Sequence, residues 1–233
     1  MSIFQFKQFQ VDQTDCAMKI NTDGVLLAAM VQAAQPQHIL DIGTGTGVIA
    51  MMLAQRFESA QIDGVEIEIQ ASERAALNFK GSSYAHRLKA FHSAIESFES
   101  PVTYDLIVTN PPFFVNDLKN PEPKKGIARH ADTDFFEELI KKVFQLLAPE
   151  GEFWVILPVK QAQHLVQIAA RHRLYQVYQT NIHSDKNKPL IRMVIALAKQ
   201  AKSFNPMEFY IYEEEKVHTE AYQELLKDFF LAF

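Results

Sequence analysis

The stretch Asp41-Ile42-Gly43-Thr44-Gly45-Thr46-Gly47 follows the apolar run His38-Ile39-Leu40 and leads into Val48-Ile49-Ala50-Met51-Met52-Leu53. An aliphatic run, a glycine-rich turn and a helical pattern, in that order, read as the opening strand, turn and helix of a parallel α/β sheet. Glycines let the backbone take positive φ and approach a ligand closely. A turn that opens a helix also presents free amides to anionic groups. The spacing is Gly-x-Gly-x-Gly, and Val48 stands where a dinucleotide fingerprint places its last small residue. That disfavours NAD or FAD and favours S-adenosylmethionine, which has no pyrophosphate to seat. The plain structural alternative for Gly43, Gly45 and Gly47 is a tight strand-to-helix turn.

Outward from this turn the alternation continues. Strands are expected at His38 to Ile42, Gln61 to Glu66, Arg87 to His92, Tyr104 to Thr109 and Glu152 to Leu157. Helices are expected at Val48 to Phe57, Ile69 to Lys80, Asp134 to Leu147 and Gln161 to His172. The third of these has Asp132 or Thr133 as its expected cap and Pro149-Glu150-Gly151 as its stop. Leu174 to Ile182 and Leu190 to Ala198 read as two closing strands across the polar loop Ser184 to Pro189. No helix separates them, so at least one runs antiparallel. The pattern predicts a Rossmann-like α/β fold: a mostly parallel seven-stranded sheet with helices on both faces. Residues 1–36 are expected as an N-terminal extension with a Phe-rich strand and a helix from about Thr22, and residues 37–200 as the core. Residues 201–233 add a strand near Met207 to Tyr212 and a helix near Thr219 to Leu231, as an extension of the same domain.

Composition narrows the function classes. The chain has 233 residues, 48% hydrophobic and 22% charged, which suits one large globular domain and excludes disorder. Cys16 is the only cysteine, which excludes an intrachain disulfide and a cysteine metal cage, and the eight histidines show no ligand spacing. No metal is therefore expected. No run approaches the roughly 18 apolar residues of a membrane span, and Met1 to Lys7 lacks the apolar core of a signal peptide. A cytoplasmic monomer is expected. The net charge of −5 excludes a non-specific nucleic-acid coat but leaves room for a local basic rim.

Ligands on such sheets bind beyond the carboxyl ends of the strands. Val65-Glu66 ends the second strand, where a carboxylate can accept both hydroxyl hydrogens of a ribose. Asp41 is expected close to the methionine part of the cofactor, holding the turn that carries Thr44. The fourth strand delivers Asn110-Pro111-Pro112-Phe113 to the same edge. Two prolines stiffen this exit and remove two donors. The Asn110 side-chain oxygen and the Pro111 carbonyl then suit an NH2 group with two hydrogens to give. Phe113 offers a flat face for a planar ring. The structural alternative is a proline-stiffened strand exit with Phe113 in the core.

Together, the glycine turn, Glu66 and Asn110-Pro111-Pro112-Phe113 resemble the class I S-adenosylmethionine-dependent amino methyltransferases. Four further stretches narrow the resemblance to the bacterial tRNA(Val) adenine-N6 methyltransferases: Phe6-Lys7-Gln8-Phe9, Met18 to Leu27, Ala128-Arg129-His130 and Asn187-Lys188-Pro189. The likeness runs over nearly the whole chain, to Asp228-Phe229-Phe230-Leu231. It implies methylation of the adenine amine at tRNA position 37, with Asn110, Pro111, Pro112 and Phe113 catalytic. It also implies that Lys19 or Thr22 lies near the cofactor carboxylate. Relatives often carry an acid after the third strand. Here the chain reads Phe91-His92-Ser93-Ala94-Ile95, so Ser93 or a backbone group takes that contact. Phe113 stands where Tyr is frequent, and Ala28-Ala29 where a glycine is common.

Lys119, Lys124, Lys125, Arg129 and His130 are expected in a long loop after the catalytic turn. They read either as a solvated charge run or as phosphate contacts to RNA, and proximity to the site favours the second. For Lys186, Lys188 and Arg192 the solvated reading is favoured, and for Phe4, Phe6 and Phe9 core packing is favoured over base stacking. Thr22 or Asp23 is the expected cap of the first helix. Two alternatives stay open: a protein-glutamine methyltransferase, whose amide fits the same acceptors, and a non-catalytic cofactor-binding module.

Overall fold

The computed structural model describes residues 2–14, 16, 19–111 and 125–233, with the side chains of 125–133 outside the description. The chain opens with an antiparallel hairpin, β1 (Ile3–Gln5) and β2 (Gln10–Asp12), and the helix α1 (Thr22–Met30). Then come β3 (His38–Ile42), α2 (Val48–Arg56), β4 (Gln61–Glu66), α3 (Ile69–Lys80), β5 (Leu88–His92) and β6 (Tyr104–Thr109). The second half holds α4 (Lys125–Leu146), β7 (Leu147–Leu157), α5 (Val159–Arg171), β8 (Tyr175–His183) and β9 (Leu190–Ala198). It closes with β10 (Met207–Tyr210), the small hairpin β11 (Tyr212–Glu214) and β12 (Val217–His218), and α6 (Glu220–Leu226).

The main sheet runs β10-β8-β9-β7-β6-β3-β4-β5, and every pairing in it is parallel except those made by β9. The sequence pattern predicts seven strands; the sheet has eight. The addition is β10, which pairs alongside β8 and covers backbone groups that would otherwise be left as an edge. Strand order reverses at β3. From there the chain steps outward to β4 and β5, then returns to lay β6 on the other side of β3. Ile42 pairs with Thr109, so the glycine turn and Asn110 leave the sheet side by side at this switch point.

Because the central strands are buried on both faces, they carry contiguous apolar stretches such as Leu106-Ile107-Val108 and Phe153 to Leu157. Alternate side chains feed two cores. Ile39, Leu106, Val108 and Trp154 pack under α1, α2 and α3, while Leu40, Ile107, Phe153 and Val155 pack under α4 and α5. The Phe-rich hairpin joins the first core, with Phe6 fully buried and stacked on Phe9 at 4.5 Å between centroids.

Two expectations are corrected. Helix α4 begins at Lys125, so Asp132 and Thr133 lie inside it and not at its start. Nothing after Pro123 bars a helix, and Ala128, Arg129 and Ala131 favour one. At its other end the chain passes straight into β7. Leu147 pairs with Tyr104 before the register shifts to put Glu152 opposite Leu106. Pro149-Glu150-Gly151 therefore forms a strand irregularity, a place where a sheet tolerates proline. Among the described residues no helix is long and apolar enough to cross a membrane.

Candidate active site

The glycine turn is built by backbone conformation and backbone hydrogen bonds. Gly43, Gly45 and Gly47 take φ of +70°, +56° and +87°. Gly43 N and Thr44 N both donate to Val65 O, at 2.8 and 3.1 Å. Gly47 caps α2, and a Cβ there would lie 2.4 Å from the Phe79 ring. Only glycine satisfies both the conformation and the contact.

Glu66 is bolted to this turn. Its Oε2 accepts from Gly45 N at 2.9 Å and its Oε1 from Glu68 N at 3.0 Å. Each oxygen keeps a lone pair for a ligand hydroxyl. Asp41 sits behind the turn, fully buried and off the cavity wall. Its Oδ2 accepts from Thr44 Oγ1 at 2.7 Å and from Ala50 N at 3.2 Å. Burial pushes its carboxyl up to about 7, against the pull of those two donors.

A cavity of about 550 Å³ opens in front of the turn at the switch point. Of the residues the sequence singles out, Gly43, Thr44, Gly45 and Glu66 line one side. Lys19, Ser93, Asn110 and Pro111 line the rest. Thr22 and Gly47 are not on its wall. The Lys19 ammonium donates to Gln13 O at 2.7 Å, and Ser93 Oγ to Ala94 O at 2.9 Å. Pro112, Phe113, Lys119 and Lys124 lie outside the described residues. Lys125, Arg129 and His130 ride on α4 and not in a loop, with side chains outside the description.

Of the wall residues that escape the sequence reading, three stand out. Glu96 lines the cavity from a short 3-10 turn, Ile95–Ser97, just past the point where a carboxylate is looked for and not found. The tight turn brings the chain back toward the site, so an acid after Ile95 can serve a position that strand spacing alone places earlier. Phe135, on α4, closes the cavity from the other core. Asn21, and not Thr22 or Asp23, caps α1: its Oδ1 accepts from Gly24 N at 2.9 Å. All three candidates are good caps, so local propensity could not choose among them.

Asn110 leaves β6 beside this cap. Its Nδ2 donates to Asn21 Oδ1 at 3.2 Å, while its Oδ1 is buried with no hydrogen-bond partner among the described residues. An unmet buried acceptor costs about 1–3 kcal/mol, which a ligand donor would recover. The wall thus offers a carboxylate beside a closely packed glycine turn on one side and a held acceptor on the other. Among the described residues no cluster of His, Cys, Asp and Glu could hold a metal ion.

Residues 16–182 match the methyltransferase small domain family. A tRNA1(Val) (adenine(37)-N6)-methyltransferase from Pedobacter heparinus is 53% identical over 230 residues, 99% of this chain and 98% of its own. A solved structure from Agrobacterium tumefaciens, titled a predicted O-methyltransferase, superposes with a TM-score of 0.66 at 17% identity, over 89% of this chain and 96% of that one. A glycopeptide N-methyltransferase solved with S-adenosylmethionine superposes with a TM-score of 0.59 at 10% identity, over 78% of this chain and 90% of that one. At those identities the two structures establish a common fold.

Proposed function

The chain belongs to the tRNA1(Val) (adenine(37)-N6)-methyltransferase family, and from that premise we propose that it methylates N6 of adenine 37 in tRNA1(Val). It is an S-adenosylmethionine-dependent methyltransferase. The residues present fit that cofactor. Glu66 takes the ribose hydroxyls, Gly43, Thr44 and Gly45 let the ligand lie against the turn, and Asp41 and Gly47 hold that turn from behind. Ser93 and Glu96 border the base, and Lys19 lies toward the cofactor carboxylate. When bound, the cofactor would supply a methyl on a sulfonium, with the sulfur as leaving group and the amine proton passing to water.

The observation that carries the reading is the unpartnered Oδ1 of Asn110 at the cavity wall. With the Pro111 carbonyl it accepts the two hydrogens of an exocyclic amine and draws the nitrogen lone pair out of conjugation. No general base is required beforehand, because the amine proton becomes acidic only on methylation. Alignment carries the step. Pro112 stiffens the exit, and Phe113 stacks on the adenine.

The adenine must leave its stack to reach Asn110, at a cost of a few kcal/mol. Lys124, Lys125, Arg129 and His130 offset that cost by holding the flanking phosphates, a local task that the net charge of −5 cannot perform. The enzyme works as a monomer in the cytoplasm. The test is incubation of the purified chain with labelled S-adenosylmethionine, total tRNA and total protein, followed by nucleoside and amino-acid analysis. Label in N6-methyladenosine of one valine tRNA is expected. Label confined to glutamine would overturn the reading.

A further inference from the structure

We propose that Asn21 is a positioning residue that decides which end of the Asn110 amide faces the substrate, an inference that rests on reading Asn110 Oδ1 as the acceptor for the reacting amine. It starts from a donor that cannot change its role. The N–H of Gly24, at the open end of α1, can only donate, and it meets Asn21 Oδ1 at 2.9 Å. Turning the Asn21 amide over would orphan that N–H, so Asn21 presents oxygen. The same oxygen lies 3.2 Å from Asn110 Nδ2. Asn110 must therefore give its NH2 to Asn21, which leaves Oδ1 as the free acceptor. With Asn110 reversed, oxygen would face oxygen at Asn21, and an NH2 would face the NH2 of the substrate. The polarity of the helix end thus passes through two side-chain amides to the reacting nitrogen.

The surroundings hold this geometry. Arg192 Nε donates to Asp23 Oδ2 at 2.7 Å and ties the first turn of α1 to β9. At the other end Arg56 donates to Ala28 O and Val31 O, both at 2.6 Å. Gly24 leaves the meeting point clear: a Cβ there would already stand 3.4 Å from Asn110 Nδ2 and 3.5 Å from Asn21 Oδ1.

The test compares two substitutions that both keep the cap, since Ser and Asp cap helices about as well as Asn. Asn21→Ser has a hydroxyl too short to accept from Asn110. Asn21→Asp retains an acceptor at the same reach. Asn21→Ser is expected to lower kcat by about three- to ten-fold, because only a fraction of Asn110 amides then face the right way. Its S-adenosylmethionine Kd and Tm should match the wild type. Asn21→Asp should keep kcat within about two-fold. In an Asn110→Ala background, where no amide remains to orient, Asn21→Ser should change nothing further. Wild-type kcat in Asn21→Ser, an equal loss in both variants, or a loss matched by falling Tm or cofactor affinity would overturn the proposal. Asn110→Ala with normal turnover would instead overturn the reading of Asn110 on which it rests.

Discussion

The two sides of the cavity are built on opposite principles. On the β3–β4 side the polar groups that shape the turn are engaged by the protein itself, and the one unmet oxygen, Asp41 Oδ1, is buried behind the turn and off the cavity wall. Val65 O takes two turn amides, Glu66 takes Gly45 N and Glu68 N, and Asp41 takes Thr44 and Ala50. On the β6 side Asn110 has one end fixed and the other unmet. The first side is a finished cradle whose shape exists before any ligand arrives. The second keeps an acceptor in reserve, and only an incoming donor completes it. On the proposed function, the difference separates binding from chemistry: the cradle would serve the cofactor, and the reserved acceptor would recognise the atom that reacts.

Substitutions should divide along the same line. The largest effect is expected on the acceptor side. Asn110→Ala should cut turnover on tRNA by about 10²–10³, the usual loss for one preorganised polar group at a reacting centre, with cofactor affinity retained. Calorimetry alongside single-turnover kinetics checks both halves of that statement; equal losses in both would erase the contrast. Next comes Gly47→Ala in the cradle. The added methyl meets Phe79 and forces a positive φ on a non-glycine residue. Strain and overpacking together should cost roughly 2–4 kcal/mol of stability, read from urea denaturation. A neutral result would mean that the turn is softer than its contacts imply.

Glu66→Ala should weaken S-adenosylmethionine by about ten-fold or more, since hydrogen bonds to a charged group are worth roughly 1.5–3 kcal/mol. Turnover at saturating cofactor should fall far less than it does in Asn110→Ala. The last effect, spread over pH and not read at one condition, belongs to Asp41. Burial raises its carboxyl to about 7 on folding, so the folded state holds the proton more tightly than the unfolded chain. This group's contribution is therefore fully present below about pH 4, declines as pH rises, and is gone above pH 7. The slope is at most about 1.4 kcal/mol per pH unit. Asp41→Asn removes the titration, so the variant should gain on the wild type between pH 5 and 7, with the gain level by pH 8. A wild type that gains on the variant as pH rises would contradict that burial effect.

How far the sequence foretold this depends on whether the signal was local. The bounds expected for β4, β6, β9 and α3 coincide with those observed; β6 and β9 are marked by their apolar stretches, and α3 ends at Gly81. The glycine turn was legible for the same reason. Asn21 was not. Asn21, Thr22 and Asp23 compete as caps, and the partner that distinguishes Asn21 lies on β6's exit, far along the chain. Glu96 was hidden by a 3-10 turn that no periodicity announces. The start of α4 was misplaced because Asp132 and Thr133 look like a cap, and a helix that already has momentum from Ala128 and Ala131 ignores them.

The two margins of the large sheet bear on how copies of this protein meet one another. An unpaired strand is a template on which a second chain can continue the hydrogen-bond ladder. Here the outermost strands are β5, of five residues, and β10, of four. The first carries Lys89 and His92 on exposed positions. Short length and a charge on the margin are two of the means by which native sheets refuse such continuation. The longest strands, β7, β8 and β9, are all interior to the sheet, so only short ladders are open to continuation at its rims.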